Sequence, residues 1–278
     1  MNITAQIIDT TTLANGVEIP MMGLGVLKAK DGNEVAQAVT AALHQGYRLI
    51  DTAAIYKNES GVGLAIKESG IPREEIFLTT KVWNSDQGYN ATMKAFEQSL
   101  EKLQTEYVDL YLIHWPVAGK FKDTWRALEA LYRQGKVRAI GVSNFQVRHL
   151  KELMETAQIA PMVNQVEMHP HLQQEELVKY SKEHNIQLQA WRPVMMGEVT
   201  IIPELRELAR KHNKSPFQIA LRWLVQKGVV AIPKSVNTKR IAQNADIFDF
   251  ELSSKDMATI ARLNLNRRLG PDPDNFNF

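Results

Sequence analysis

The chain has 278 residues, of which 44% are hydrophobic and 23% are charged, and its formal net charge is +2. These values are typical of a globular protein with a large core, and they exclude a surface basic enough as a whole for nucleic acid or membrane. The absence of cysteine excludes disulfides, thiolate metal sites and a cysteine nucleophile.

The sequence carries no targeting or membrane signal. Its first ten residues lack the basic region and apolar core of a signal peptide. No apolar run approaches the ~18 residues that a membrane span needs. We therefore expect a soluble, cytoplasmic protein that binds neither nucleic acid nor membrane. We also predict that it is a monomer.

The first predicted element is a β-hairpin around Asn15-Gly16, because both residues tolerate positive φ. After it, short apolar runs alternate with segments of helical spacing. The predicted strands are 23–26, 47–51, 75–81, 107–115, 137–144, 162–167, 186–191 and 229–235. The predicted helices are 31–45, 59–69, 90–103, 122–134, 146–157, 173–184, 203–212, 215–227, 238–245 and 253–263.

Eight strand–helix alternations predict an α/β protein with a parallel sheet, either open and doubly wound or closed into a (β/α)₈ barrel of ~250 residues. The open sheet expects a G-x-G-x-x-G turn, but GLGVLK (23–28) and GVGLAI (61–66) both lack the third glycine. We therefore predict a single domain, 1–278, formed by a TIM barrel with an N-terminal β-hairpin and extra C-terminal helices and tail.

Polar or aromatic residues stand where most predicted strands end, which is the face that carries barrel active sites. Each alone has a structural explanation, such as a solvated lysine or a helix cap, but the joint pattern indicates a site. These residues are Asp51, Lys81, His114-Trp115, Ser143-Asn144, Gln165, Trp191-Arg192 and Lys234-Ser235.

Three of these side chains form a chemical set with Tyr56. A free tyrosine has a pKa of ~10 and donates protons poorly at neutral pH, whereas the ammonium of Lys81 would lower that pKa. The carboxylate of Asp51 would keep the lysine charged, and a neutral His114 would orient a carbonyl oxygen. The set suits protonation of a carbonyl group that gains negative charge.

The chain resembles the aldo-keto reductase superfamily, most of all its bacterial 2,5-diketogluconate and methylglyoxal (glyoxal) reductases. The matching stretches are GLG (23–25), DTAAIYKNE (51–59), LTTKVWN (78–84), LIHWP (112–116), IGVSNF (140–145), NQVEMHP (164–170) and IPKS (232–235). The resemblance implies a barrel that holds an extended nicotinamide cofactor without a Rossmann domain. It also implies NADPH-dependent reduction of aldehydes and reactive ketones, which include 2-oxoaldehydes, keto sugars and aromatic aldehydes.

The same resemblance assigns roles to single residues. Tyr56 would be the general acid, tuned by Lys81 and Asp51, with His114 orienting the carbonyl. The implied cofactor-binding residues are Gly25, Ser143, Asn144, Gln165, Trp191, Lys234, Ser235, Asn237, Arg240, Gln243 and Asn244. The implied walls of the substrate pocket are Leu27, Trp83 and Trp115, and the tail 269–278 would close over them.

Two local features refine the cofactor prediction. KSVNTKR (234–240) holds cations and no acid, which favours the 2′-phosphate of NADPH over NADH. Arg192 stands where the family usually has a serine that helps to hold the pyrophosphate. Either its guanidinium takes over that contact, or it points to solvent or pairs with an acid such as Glu198. Pro193 predicts an extended backbone at Arg192.

Three alternatives stay open at the level of sequence. His169 and His171 could be metal ligands, but no third ligand has suitable spacing, so we predict no metal. A Schiff-base aldolase could use Lys81, and trapping of substrate on that lysine would reveal it. A nucleotide-binding regulatory protein could keep the fold without turnover, although it would not need the complete catalytic set.

Overall fold

The structure is a computed structural model that describes residues 9–278. Most of the segment from which we argued against a signal peptide lies outside the described residues. Strands β1 (Thr10–Thr12) and β2 (Glu18–Pro20) form the predicted antiparallel hairpin. Only Gly16 of the two turn residues adopts positive φ, at 84°. Asn15 instead donates from its side chain to the carbonyl oxygen of Arg138 at 2.9 Å, which ties the hairpin to the barrel.

Eight parallel strands form the predicted barrel, and each pairs with the next in sequence order. They are β3 (Leu24–Gly25), β4 (Leu49–Asp51), β5 (Phe77–Val82), β6 (Val108–Ile113), β7 (Val137–Ser143), β8 (Val163–Glu167), β9 (Gln187–Trp191) and β10 (Val230–Ala231). The barrel closes where the backbone N–H of Gly23 donates to the carbonyl oxygen of Ala231 at 2.9 Å and that of Gly25 donates to Pro233 at 3.1 Å.

The first and last barrel strands are shorter than predicted. Each keeps only two residues in regular pairing, and the contacts that close the barrel are isolated bridges, including Gly25 with Lys234. A Cβ on Gly25 would lie 3.1 Å from the carbonyl oxygen of Ile232, tighter than an ordinary contact. Glycine at position 25 therefore allows the two edges of the sheet to approach each other.

Helices surround the barrel because each presents one apolar face to the strands. In one of them, Trp125, Leu128 and Leu131 follow at helical spacing and are all buried. No helix in residues 9–278 is long and apolar enough to cross a membrane. The helices are α1 (Asn33–His44), α2 (Glu59–Glu68), α3 (Tyr89–Leu103), α4 (Phe121–Arg133), α5 (Val147–Met154), α6 (Glu175–Glu183), α7 (Pro203–His212), α8 (Pro216–Gln226), α9 (Thr238–Ala245) and α10 (Ser254–Ala261).

Candidate active site

The ends of β4, β5 and β6 bring the four predicted catalytic side chains together. Lys81 Nζ lies 2.6 Å from Asp51 Oδ1 and donates at 2.8 Å to the carbonyl oxygen of Thr52, with the lysine fully buried. The same Nζ lies 5.1 Å from the centre of the Tyr56 ring, and the rings of Tyr56 and His114 are 5.7 Å apart. Tyr56 ends a short 3₁₀ turn, Ala54–Tyr56, that follows β4 and directs the phenol back over the strand ends.

The electrostatics of Tyr56 differ from the sequence-based expectation. Burial raises the pKa of Tyr56 well above its ordinary value, and the charge of Asp51 adds to the effect. We expected Lys81 to lower this pKa. The expectation was wrong for the protein alone, because burial removes the water that would stabilise a phenolate and the nearby charge of Asp51 repels it. Asp51 also neutralises much of the positive charge that Lys81 presents.

Burial is also the main cause of the pKa shifts of Asp51, Lys81 and His114. Burial raises the pKa of Asp51 and lowers the pKa of Lys81, while the ion pair between them opposes both shifts. Burial, helped by the charge of Lys81, lowers the pKa of His114 well below its ordinary value. His114 is therefore a neutral imidazole at physiological pH, as predicted.

A chain of hydrogen bonds connects the predicted carboxamide-binding residues to the catalytic pair. Gln165 Nε2 donates to Asp51 Oδ2 at 2.7 Å and to Gln189 Oε1 at 2.8 Å. Asn144 Nδ2 donates to the carbonyl oxygen of His114 at 3.0 Å. The indole N–H of Trp191 donates to Asn144 Oδ1 at 2.9 Å, which fixes the ring. We did not connect Gln189 with the site from the sequence, although the structure buries it completely on β9.

A cavity of about 540 Å³ opens above these residues. Its wall contains predicted residues from all three groups, namely Gly25, Leu27, Asp51, Tyr56, Trp83, His114, Trp115, Ser143, Asn144, Gln165, Trp191, Arg192 and Lys234. It also contains six residues that the sequence-based predictions missed, namely Lys28, Ile55, Pro193, Val194, Met196 and Ile232, together with Pro271 and Phe278 from the tail that we expected there. Most of the missed residues lie on loops, where neither strand ends nor helical spacing marks them.

The C-terminal tail closes one side of this cavity, as expected. The Phe278 ring stacks on Trp83 with 5.8 Å between centroids and an interplanar angle of 9°. Asn84 Nδ2 donates to the carbonyl oxygen of Phe278 at 3.0 Å. Phe276 packs against Trp115 with centroids 5.1 Å apart. The tail therefore extends the aromatic wall of the cavity that Trp83 and Trp115 form on the barrel loops.

A buried carboxylate holds the start of the tail. Glu167, at the end of β8, accepts hydrogen bonds from the backbone N–H groups of Leu269 at 2.8 Å and Gly270 at 3.0 Å. His169 Nε2 lies 3.2 Å from the same carboxylate. Burial alone would raise the pKa of Glu167, but the hydrogen bonds from His169 and the two amides outweigh it and lower the pKa.

The two histidines of the MHPH motif also contact the C-terminal region or the residue that holds it. The carbonyl oxygen of His171 accepts from the backbone N–H groups of Leu265 at 3.1 Å and Arg267 at 3.0 Å. Within residues 9–278 no three His, Asp or Glu side chains are grouped so that they could hold a metal ion.

The predicted 2′-phosphate residues surround the start of α9. Lys234 and Arg240 are exposed, and neither has an acidic partner within 4.0 Å among residues 9–278. Ser235 Oγ accepts from the backbone N–H of Asn237 at 3.1 Å, and Asn237 Oδ1 accepts from that of Arg240 at 3.1 Å. Further along the helix, Gln243 is exposed and Asn244 is buried.

Arg192 departs from the predicted backbone. Its φ is 54°, in the left-handed region, because its carbonyl oxygen accepts from the N–H of Met195 at 2.9 Å and turns the chain at once after β9. The guanidinium lies 5.2 Å from the centre of the Trp191 ring. Glu198, the acid that we considered as a partner, pairs with Arg267 at 2.8 Å instead.

A closed (β/α)₈ barrel with a deep cavity and ionisable side chains at its strand ends defines a barrel enzyme. The aldo/keto reductase family profile matches residues 21–265. The chain belongs to this family, whose members are oxidoreductases that act on carbonyl groups.

Known relatives are similar to this chain over nearly its whole length. Glyoxal reductase of Bacillus subtilis is 61% identical over 97% of this chain and 98% of its own. The 9,11-endoperoxide prostaglandin H2 reductase of Trypanosoma cruzi is 56% identical over 96% of both chains. A crystal structure of a Gox0644 variant in complex with NADPH superimposes with a TM-score of 0.93 at 41% identity, covering 99% of this chain and 100% of that one.

Proposed function

We propose that this protein reduces small, reactive aldehydes and ketones to alcohols with NADPH, and that Tyr56 is the general acid. Its family membership makes it an NADP-dependent oxidoreductase of carbonyl groups, which confirms the cofactor prediction. The finer proposal rests on one observation. The Lys81–Asp51 ion pair lies beneath the Tyr56 ring, beside a neutral His114, at the floor of the cavity.

Tyr56 can serve as the acid because its hydroxyl is free. No protein group among residues 9–278 hydrogen-bonds to that hydroxyl, and the residue is only half-buried. Its raised pKa keeps it protonated, and an alkoxide is basic enough to take the proton. Lys81 then stabilises the phenolate that remains, and Asp51 keeps Lys81 charged. NADPH, when bound, supplies the hydride that the carbonyl carbon accepts.

His114 would align the carbonyl oxygen with Tyr56. A neutral imidazole can donate one N–H without adding charge. Its Nδ1 is enclosed and has no hydrogen-bond partner among the described residues, whereas Nε2 is not enclosed. We propose that the Nε2–H tautomer donates to the substrate oxygen, which places two donors, phenol and imidazole, on one oxygen.

The residues present fit a dinucleotide. Asn and Gln side chains offer both the donors and the acceptors that a carboxamide needs, which supports Ser143, Asn144 and Gln165 at that group. The Trp191 ring, held by its indole hydrogen bond, offers a flat face for the nicotinamide. Cations without acidic partners fit a phosphate, which supports Lys234 and Arg240. With Gly25, Ser235, Asn237, Gln243 and Asn244, these complete the proposed cofactor site.

For the substrate we propose 2-oxoaldehydes such as glyoxal and methylglyoxal. A cavity of about 540 Å³ must hold the nicotinamide as well as the substrate, which favours a small carbonyl compound. The wall formed by Leu27, Trp83, Trp115 and Phe278 is mostly apolar. The name of the Bacillus subtilis relative points the same way. Keto sugars and aromatic aldehydes are larger alternatives for the same site.

The test is a carbonyl panel assayed by the loss of NADPH absorbance, with the alcohol product identified by mass spectrometry. It contains glyoxal, methylglyoxal, 2,5-diketogluconate and a substituted benzaldehyde. The proposal expects the highest kcat/KM for a 2-oxoaldehyde. Turnover of none of these compounds would overturn the proposed activity, and a preference for the benzaldehyde would overturn the proposed substrate class.

The alternatives raised by the sequence are less well supported. Lys81 is fully buried and bound to Asp51 and Thr52, so a carbonyl carbon cannot approach it as a Schiff base requires. An oxidoreductase family also argues against an aldolase and against a protein without turnover. The match over residues 21–265 supports a single domain, whereas the cytoplasmic location and the monomeric state stay predictions.

A further inference from the structure

Three cations border the cavity without an acidic partner. Within the described residues, Lys28, Arg192 and Lys234 have no carboxylate oxygen within 4.0 Å. Among the described residues that line the cavity, the one acidic side chain is Asp51, and it is paired with Lys81 at 2.6 Å. The open part of the wall is therefore positively charged, which suits a ligand with several negative charges.

Arg192 is the cation with the most confined position. It follows Trp191 directly at the end of β9 and lies over that ring. Its Nη1 is enclosed and has no hydrogen-bond partner in residues 9–278, and a Cβ on Gly270 would lie 3.1 Å from it. An enclosed N–H without an acceptor is costly unless a bound molecule supplies one.

The topology indicates which part of the cofactor passes Arg192. Strands β9 and β10 are neighbours, with Ala190 opposite Ala231, so the end of β9 lies beside the segment that carries Lys234. A cofactor with its nicotinamide on Trp191 and its 2′-phosphate near Lys234 must cross between these strand ends. The part of the molecule that crosses is the pyrophosphate.

We propose that Arg192 binds the pyrophosphate of the cofactor through its guanidinium, where the family usually has a neutral serine. This inference rests on the proposed function. A guanidinium stays charged at every physiological pH and can donate two parallel hydrogen bonds to phosphate oxygens. Because NADPH and NADH share the pyrophosphate, Arg192 strengthens the binding of both. The added contact also makes binding more sensitive to salt, because exposed charges are screened.

The experiment is isothermal titration of NADPH and NADH into the purified protein at low and high salt. We compare the wild type with Arg192→Ser, which restores the usual residue, and with Arg192→Gln, which keeps a long side chain over Trp191. Arg210→Ser is the matched control, since Arg210 is exposed on α7 and has no ion pair in the described part of the chain. Thermal melting checks that each variant is folded.

Loss of one charge-assisted contact predicts a roughly 10- to 100-fold weaker Kd for both cofactors in both Arg192 variants. The salt dependence of Kd becomes shallower, and Arg210→Ser changes neither quantity. If Arg192→Ser does not fold, Arg192→Gln carries the same expectation.

Three results would overturn the inference. Unchanged affinity and salt dependence would show that Arg192 touches no phosphate. Selective loss of NADPH would place it at the 2′-phosphate. Unchanged cofactor affinity with a raised KM for glyoxylate, but not for methylglyoxal, would make it a substrate carboxylate site. A wild-type protein that binds neither cofactor would instead reject the proposed function itself.

Discussion

Tyr56→Phe removes one hydroxyl and keeps the ring that Lys81 and His114 contact. If the phenol is the proton donor, kcat for carbonyl reduction should fall by ~10²–10⁴-fold, the usual contribution of general acid catalysis. The Kd for NADPH should stay the same, because the ring is kept. Tyr89→Phe, at an exposed tyrosine on α3, is the control. A Tyr56→Phe variant with wild-type kcat would reject the mechanism.

The raised pKa of Tyr56 leads to a second prediction. A group whose pKa is raised stays protonated over a wider pH range, so Tyr56 should form no tyrosinate below pH ~10 in the free protein. The measurement is the ultraviolet absorbance of tyrosinate during alkaline titration of the wild type and of Tyr56→Phe. The two curves should coincide below this pH. A higher tyrosinate absorbance in the wild type than in Tyr56→Phe near pH 8 or 9 would mean that Lys81 lowers the pKa of Tyr56 more than burial raises it.

Single residues also show where sequence reasoning stops. The grouping of Asp51, Lys81 and His114 follows from strand ends, because parallel strands bring their carboxyl ends to one face. Tyr56 lies five residues beyond the end of β4, and its role came from the resemblance. The pKa of Tyr56 did not follow, because it depends on how much water the folded site excludes. The left-handed backbone of Arg192 did not follow from the sequence either. A residue before proline is usually extended, so the sequence predicts the wrong backbone conformation there.

At the scale of elements, we predict that α9 and the segment before it determine the choice between NADPH and NADH. Replacing Lys234 and Arg240 with glutamine should weaken NADPH far more than NADH, because only NADPH has the 2′-phosphate. Each lost contact should cost about 1.5–3 kcal/mol. The measurement is the ratio of kcat/KM for the two cofactors.

Lys239→Gln is the matched control, since Lys239 lies on the same exposed turn of α9 between the two proposed ligands. It should leave the ratio unchanged. An unchanged ratio in the double variant would mean that the segment following β10 does not recognise the 2′-phosphate. An equal shift in the control would mean that general positive charge, rather than two placed side chains, produces the preference.

The elements themselves were largely predictable. Apolar runs and helical spacing locate all eight barrel strands and ten helices, since burial on one face leaves a period in the sequence. Errors concentrate at 23–26 and 229–235, where pairing is reduced to two residues each. These two strands pair with each other to close the barrel. The length of their regular pairing depends on the curvature of the whole sheet, which the hydrophobic period of one segment does not encode.

At the scale of the whole molecule, the least predictable feature is the path of the tail. Its contacts join residues far apart in the chain, such as Glu167 with Leu269 and Asn84 with Phe278. We expected the tail to close over the pocket, but only because of the resemblance to the family. The partners themselves require the folded barrel, because β5 and β8 must first bring Asn84 and Glu167 to the same face.

The hold of Glu167 on the tail should depend on pH. A carboxylate whose pKa is lowered on folding stabilises the protein above its ordinary pKa of ~4.3, and this contribution is lost as the pH falls through the folded value. Glu167→Gln removes the charge and should cost about 1.5–3 kcal/mol at neutral pH. That corresponds to about 2–4 °C in Tm for each kcal/mol.

The measurement is Tm of the wild type and Glu167→Gln between pH 7 and pH 3.5. The difference should be constant above pH ~5 and should shrink below pH ~4, because the wild type then loses the same charge. Glu198→Gln is the control, since its ion pair with Arg267 lies just before the tail but is partly exposed and should be worth ~0–1 kcal/mol. A Tm difference that does not change with pH would mean that the shape of the side chain, and not the charge of Glu167, holds the tail on the barrel.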